Sequence, residues 1–344
     1  MTPNILIIGG GIIGLASALQ LHSDGARVTV LERNAIGQEA SWAGGGILSP
    51  LLPWHYPEGL SGLCAASATM FPDWLDGLRT PEATDPEYWA CGMRVLPPFD
   101  MPQLPPIHPL YTYEIQDETL QLPNVAQARN PRLLRYLHEA VLHRGITLLE
   151  YAGDAHLVSD SQAVQHVVSA HGHHTADAYV VAAGAWSQHV LAAHPPRKTI
   201  APIRGQMLLF EANIGVLNEI LYRQGIYLIP RRDGHILAGS TLEDVGFDKG
   251  TTEAARHHLW QQALSMLPTL RNVRIERQWS GLRPGSPNNI PTIARHPHIS
   301  NLYLNAGHFR YGVTLSPISA RLLSDLIMGR SPCMDTTPYA WETA

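Results

Sequence analysis

Residues 4–33 read NILIIGGGIIGLASALQLHSDGARVTVLER, and their pattern decides the fold. Ile5 to Ile8 form an apolar run of strand length that enters a cluster of glycines. Ile12 to His22 then carry apolar residues at helical spacing, and Gly25 stands where a helix ends in a left-handed residue. Val28, Val30 and Leu31 predict a second buried strand, ending at Glu32. Strand, glycine turn, helix and strand make up a dinucleotide-binding unit. Gly9, Gly11 and Gly14 supply its G-x-G-x-x-G. The first glycine permits the tight turn, the second lets backbone approach a pyrophosphate, and the third lets the helix pack on the strand. The helix N-terminus presents N–H groups and a positive dipole end to the phosphates. Glu32, at the end of the second strand, is placed to accept hydrogen bonds from ribose hydroxyls. The fingerprint alone leaves FAD and NAD both open.

Just downstream, GQEASWAGGGILSP (37–50) brings a second glycine run, Gly44 to Gly46. Small residues there let main chain lie against a large flat ligand, where a simple NAD dehydrogenase would start another helical crossover. The plainer alternative is a flexible glycine loop. A helix is predicted over 132–143, with Asn130 as its cap, Pro131 in its first turn and Gly145 as its stop. ITLLE (146–150) reads as a strand, and DAYVVAAGAWS (177–187) as a buried strand entering a small-residue turn. The proline-rich stretch 96–115 reads as irregular structure or edge strand.

MLLFEA (207–212) and GIYLIPRRDGHILAGST (225–241) alternate like antiparallel strands, with Asp233-Gly234 as a hairpin turn and Arg231-Arg232 as solvated turn residues. In WSGLRPGSPNNIPTIARHP (279–297), Arg283 between glycines reads as a stiff turn holding an anion, the alternative being a structural salt bridge. Residues 301–329 close the chain as strand, loop and helix.

Composition narrows the function. The 344 residues carry a net charge of -5 and are 45% hydrophobic, so no basic footprint for nucleic acid is present. Cys64, Cys91 and Cys333 form no CxxC pair and leave an odd count, as expected in a reducing compartment. The first 23 residues are uncharged, but no Lys or Arg precedes the apolar run and glycines interrupt it. That argues against a signal peptide or membrane anchor and for a cytoplasmic protein. HGHH (171–174) reads as a polar hairpin turn, and no metal site is expected.

The blocks GGGIIGLASALQL, EASWAGGGIL, VVAAGAWS, IYLIPRRDGHILAGST, WSGLRPGSPNNIPTIARHP and NAGHFRYGVTLSP, in this order, resemble the D-amino-acid oxidase superfamily of FAD-dependent amine oxidoreductases, and within it the glycine oxidase group. The resemblance spans nearly the whole chain. It implies an α/β fold: a doubly wound, glutathione-reductase-like FAD-binding domain with an inserted, mainly antiparallel α+β substrate domain. Residues 1–85, 127–200 and 290–344 would form the first, and 86–126 with 201–289 the second.

The resemblance assigns contacts with noncovalent FAD to Gly9, Gly11, Ile12, Gly14, Glu32 and Arg33, and to Ala40, Ser41, Gly45, Gly46 and Ile47. At the C-terminal end it assigns Gly307, His308, Arg310, Tyr311, Gly312, Val313 and Thr314. Substrate contacts fall to Arg283 and Tyr227, then Arg310, with Leu242 where close relatives carry methionine. An arginine fork matches an α-carboxylate, and a tyrosine hydroxyl adds a directional donor.

Trp54, His55 and Tyr56 lie in a lid region and are bulkier than a glycine-sized pocket needs. No side chain is expected as a catalytic base, because hydride passes from a neutral amine to flavin. The imino acid hydrolyses to an oxo acid, and oxygen takes the electrons as hydrogen peroxide. The expected substrates are glycine, sarcosine or small D-amino acids, with a role in thiamine thiazole biosynthesis and assembly as a homo-oligomer. The alternatives are a D-amino-acid dehydrogenase serving a quinone, and a tRNA-modifying flavoprotein.

Overall fold

The computed structural model describes residues 2–100 and 111–341. Strands that are apolar on both faces need cover on both, and the first layer follows from that requirement. Asn4–Ile8 lies between Arg27–Leu31 and Ala178–Val181, parallel to both. Thr147–Leu149 and Leu302–Ala306 extend the sheet in parallel, and Thr292–Arg295 closes it antiparallel, six strands in all. Ile5, Ile7, Val28, Val30 and Val180 bury against the helices Ile12–Ser23, Asn130–His143 and Gly312–Ile327. Leu6, Ile8, Tyr179, Val181 and Leu304 point the other way, into a core shared with a three-stranded antiparallel sheet, His156–Ser159, Val164–Ser169 and Gly172–His174.

The histidine tract therefore runs from turn into strand. His174 shares a hydrogen bond with Ser169 and His171 with the Glu150 carbonyl. Among the described residues, no three His, Cys, Asp or Glu converge to hold a metal ion. None of the described helices is long and apolar enough to cross a membrane.

The second sheet has eight strands and is mainly antiparallel. Ala201–Phe210 pairs along its length with Ile275–Gly285 on one side and with Ile236–Gly239 on the other. Ile226–Pro230 and Ile220–Arg223 follow, then Met93–Val95 in parallel, Thr119–Leu122, and Glu114–Gln116 at the edge. The proline-rich stretch thus ends within this edge strand, while its residues 101–110 lie outside the described ones. Alternation divides the sheet's faces: Leu208, Phe210, Leu228, Ile236 and Ala238 bury against Leu259 and Ala263 of helix Glu253–Met266. Met207, Tyr227, Ile229 and Leu237 form a second core on the opposite face.

Three local expectations need correction. Arg283 lies within the strand Ile275–Gly285, not in a turn; Pro284 is tolerated because this strand is the sheet's edge. Arg231 is buried: its N–H donates to the His235 carbonyl at the hairpin base, so the turn spans only 232–234, with Gly234 at φ +96°. Asn130 does not cap its helix. The cap position is Arg129, and the Asn130 amide instead donates to the Ser41 carbonyl at 2.6 Å.

An ion network joins the ends of the first and last long helices. Arg330 binds Asp24 at 2.7 Å and the buried Asp325 at 2.8 Å, and Gln20 and Ser324 also donate to Asp24. These contacts, led by Arg330 and opposed by burial, hold the Asp24 carboxyl well below its ordinary value.

Candidate active site

A cleft of about 470 Å³ lies between the C-terminal ends of the parallel strands and the near face of the eight-stranded sheet. Its floor is the glycine turn. Gly9 has φ +116°, and a Cβ there would meet the Ala182 carbonyl oxygen at 2.4 Å. A Cβ on Gly14 would stand 1.8 Å from the Gly9 oxygen, so Gly14 lies off the cleft wall and acts through helix packing. The Ile12 N–H donates to Ser41 Oγ at 3.0 Å, which joins the helix start to the second glycine run. Glu32 accepts from the Gly10 and Asn34 N–H groups, which fix its carboxylate in the cleft wall. At this end the Arg33 guanidinium lies 4.3 Å over the Trp186 ring.

The second glycine run forms the opposite wall, with Gly45 packed against Tyr227 and Ile229. Ala40, Ser41, Gly45, Gly46 and Ile47 line the cleft, as do Gly11, His308, Arg310, Tyr311, Gly312 and Val313. Gly307 and Thr314 do not. Gly307 turns the chain out of its strand at φ +84°, and the Thr314 hydroxyl ties the last helix to the Ile47 carbonyl at 3.0 Å. His308 is buried, shares a hydrogen bond with Ser319, and is pushed down to about 3 by burial; it is a neutral ring near pH 7.

Arg283 reaches the cleft across Gly205, where a Cβ would meet the guanidinium at 2.0 Å. It donates to the Thr241 carbonyl at 3.2 Å and to Ser240 Oγ at 2.6 Å, and pairs with no carboxylate among the described residues. Burial draws its pKa below the ordinary arginine value. Tyr227 lies on the neighbouring wall, its hydroxyl 3.6 Å from Met207 Sδ. The Arg310 guanidinium lies 5.6 Å over the Phe309 ring.

Leu242 is outside this group and 54% exposed. Thr241 and Glu243 on either side turn inward to Gln206 and Arg204, and Leu242 between them faces solvent. In the segment expected to form a lid, Trp54 packs near Tyr113, His55 lies 3.8 Å from Asp100, and Tyr56 meets Tyr311 edge to face at 5.4 Å.

Residues 4–326 match the family model described as FAD dependent oxidoreductase. The chain belongs to that family. It is 37% identical to a glycine oxidase of Pseudomonas aeruginosa, over 99% of both chains. It is 32% identical to a bifunctional protein named ThiO/ThiG from Trichormus variabilis, over 95% of this chain and 53% of that protein. The crystal structure of glycine oxidase from Geobacillus kaustophilus superposes with a TM-score of 0.89 over 100% of both chains, at 23% identity.

The site fits the FAD of this family. The side-chain oxygens of Asn130 and Asn305 are buried without partners among the described residues, although both residues line the cleft, and they would supply acceptors for a polyhydroxylated ligand. The glycine turn and helix start would hold the pyrophosphate, Glu32 the ribose, and the second glycine run with residues 308–313 the ring system. Sequence reasoning did not find Asn130, Asn305 or Trp186 as cleft residues. Asn130 carried a capping signal that hid its side chain's direction.

Proposed function

We propose that this FAD-dependent oxidoreductase oxidises glycine, sarcosine and small D-amino acids. The products are the 2-oxo acid, ammonia or amine, and hydrogen peroxide from oxygen. The observation that carries the reading is Arg283: a preorganised, partly desolvated guanidinium in the cofactor cleft without a carboxylate partner among the described residues. Likeness to the glycine oxidase of Pseudomonas aeruginosa supports glycine among the substrates. Likeness to the protein named ThiO/ThiG supports a role in thiamine thiazole biosynthesis. The reading includes noncovalent FAD, a cytoplasmic location and a homo-oligomer. It assigns 1–85, 127–200 and 290–344 to the cofactor domain, and 86–126 with 201–289 to the substrate domain.

When bound, FAD supplies the two-electron acceptor for the substrate's α C–H bond. The chain's own contribution is binding and orientation. Ser240 and Thr241 brace Arg283 from behind, so its remaining N–H groups meet a carboxylate at little entropic cost. Tyr227 adds a hydroxyl donor to the carboxylate, and Arg310 a second cation at the cleft wall. His308, neutral and tied to Ser319, holds the loop before the last helix without taking a proton. The imino acid released from the site hydrolyses in water.

The test is a panel of glycine, sarcosine and D-amino acids with peroxide detected. Stoichiometric peroxide with small substrates is the expected result. Turnover with a dye but no peroxide in air would replace the oxidase by a D-amino-acid dehydrogenase.

A further inference from the structure

Arg231 is 8% exposed, yet its guanidinium forms no ion pair among the described residues. Arg204, also buried, is paired with Glu243 and Asp248. Arg231 instead donates to three neutral acceptors: Gln127 Oε1 at 2.5 Å, the Gly45 carbonyl at 2.8 Å and the Ala128 carbonyl at 3.5 Å. The nearby carboxylates of Glu87 and Asp233 are engaged by Arg129. Burial, aided by Arg129, draws Arg231 down to about 10, so it remains a cation near neutral pH. A buried guanidinium with only neutral partners is costly to stability. What it holds is the second glycine run.

The Gly45 carbonyl points at Arg231, which is not part of the cleft wall, whereas Gly45 and Gly46 are. A trans peptide is planar with its C=O and N–H opposed, so the Gly46 N–H points away from Arg231. It donates to no backbone carbonyl among the described residues.

We propose that Arg231 is a positioning residue for the flavin: through the Gly45 carbonyl it turns the Gly46 N–H toward the ring, and its unpaired charge favours the electron-rich reduced state. The idea rests on FAD filling this cleft. Two electrons added to the ring increase its negative charge, which a nearby buried cation and a fixed N–H dipole both stabilise.

The experiment compares the flavin midpoint potential and FAD dissociation constant of the wild-type holoprotein with those of Arg231→Met, Arg231→Lys and Gln127→Glu. Arg231→Met is expected to lower the reduced-to-oxidised ratio at least tenfold, a shift of about 30 mV to more negative potential. Arg231→Lys retains the charge and recovers most of the potential. It binds FAD more weakly, because an ammonium lacks the planar fork that spans Gln127 and Gly45. Gln127→Glu leaves the guanidinium in place and neutralises it, so it also lowers the potential; this variant decides the matter should Arg231→Met fail to fold. Unchanged potentials in Arg231→Met or Gln127→Glu, with flavin bound, would overturn the proposal. A wild-type protein that bound no FAD would instead sink the cofactor reading beneath it.

Discussion

At the scale of single residues, Arg283, the proposed substrate arginine, depends on a glycine seventy-eight positions earlier in the chain. Gly205 lets the Arg283 side chain lie flat across its strand, because a Cβ would fall on the guanidinium and not on backbone. Gly205→Ala should therefore keep the fold and the flavin but displace Arg283. Steady-state kinetics should show KM for glycine rising and kcat/KM falling by roughly a hundredfold, the scale of an ångström misplacement. Unchanged kcat/KM would show that Arg283 needs no such path. Nothing in the sequence announced this dependence. Arg283 itself was legible, because the GLRPG block carries the family resemblance, but its strand was not, because flanking glycines and Pro284 imitate a turn. Arg231 was hidden by the same effect: turn chemistry at Asp233-Gly234 suggested solvent for a neighbour whose side chain points inward.

At the scale of elements, strands and helices with clean periodicity were legible, above all the opening strand–helix–strand unit. The long helix Glu58–Leu78 was not, since Gly59, Gly62, Gly77 and an internal Pro72 lower its apparent propensity. Its formation comes from burial of Leu60, Leu63, Phe71 and Leu75. Of the loop after Gly239 only Leu242 was singled out, although the loop crosses from the eight-stranded sheet to the side of the cleft that carries Arg33. Its Phe247 packs on Trp186 at 5.4 Å and His189 at 5.0 Å, and Lys249 meets Glu39 at 3.1 Å. Trp186, His189 and Glu39 line the cleft at the end that carries Arg33. Phe247→Ala should speed FAD release roughly two- to tenfold, the worth of an aromatic contact, with the rate followed by flavin fluorescence after dilution. A release rate equal to wild type would remove this loop from cofactor retention.

At the scale of the whole molecule, two sheets built on opposite principles face one cleft. The parallel sheet lines it with glycine turns and strand ends, the proposed cofactor side, and the antiparallel sheet with side chains from its near face, the proposed substrate side. The first and last long helices pack on the same side of the parallel sheet and are locked together through Asp24, Asp325 and Arg330. Asp24 has a folded pKa below its unfolded value near 3.8, so its stabilisation is present above that pH and fades as pH falls through it. Asp24→Asn should cost about 2 kcal/mol near neutral pH, allowing for the partly exposed Arg330. In thermal melts, the Tm gap between wild type and Asp24→Asn should close as the pH is lowered below about 4. A gap independent of pH would mean that Asp24 acts through packing alone.

In the proposed reading, Arg283 holds the substrate carboxylate against FAD. It is tested most directly by glycine-dependent peroxide formation in wild type and Arg283→Ala, both carrying stoichiometric flavin. Wild type should turn over glycine, and Arg283→Ala should keep its flavin spectrum while losing kcat/KM by a hundredfold or more, about 3 kcal/mol of transition-state binding. Arg283→Ala oxidising glycine as well as wild type would contradict it.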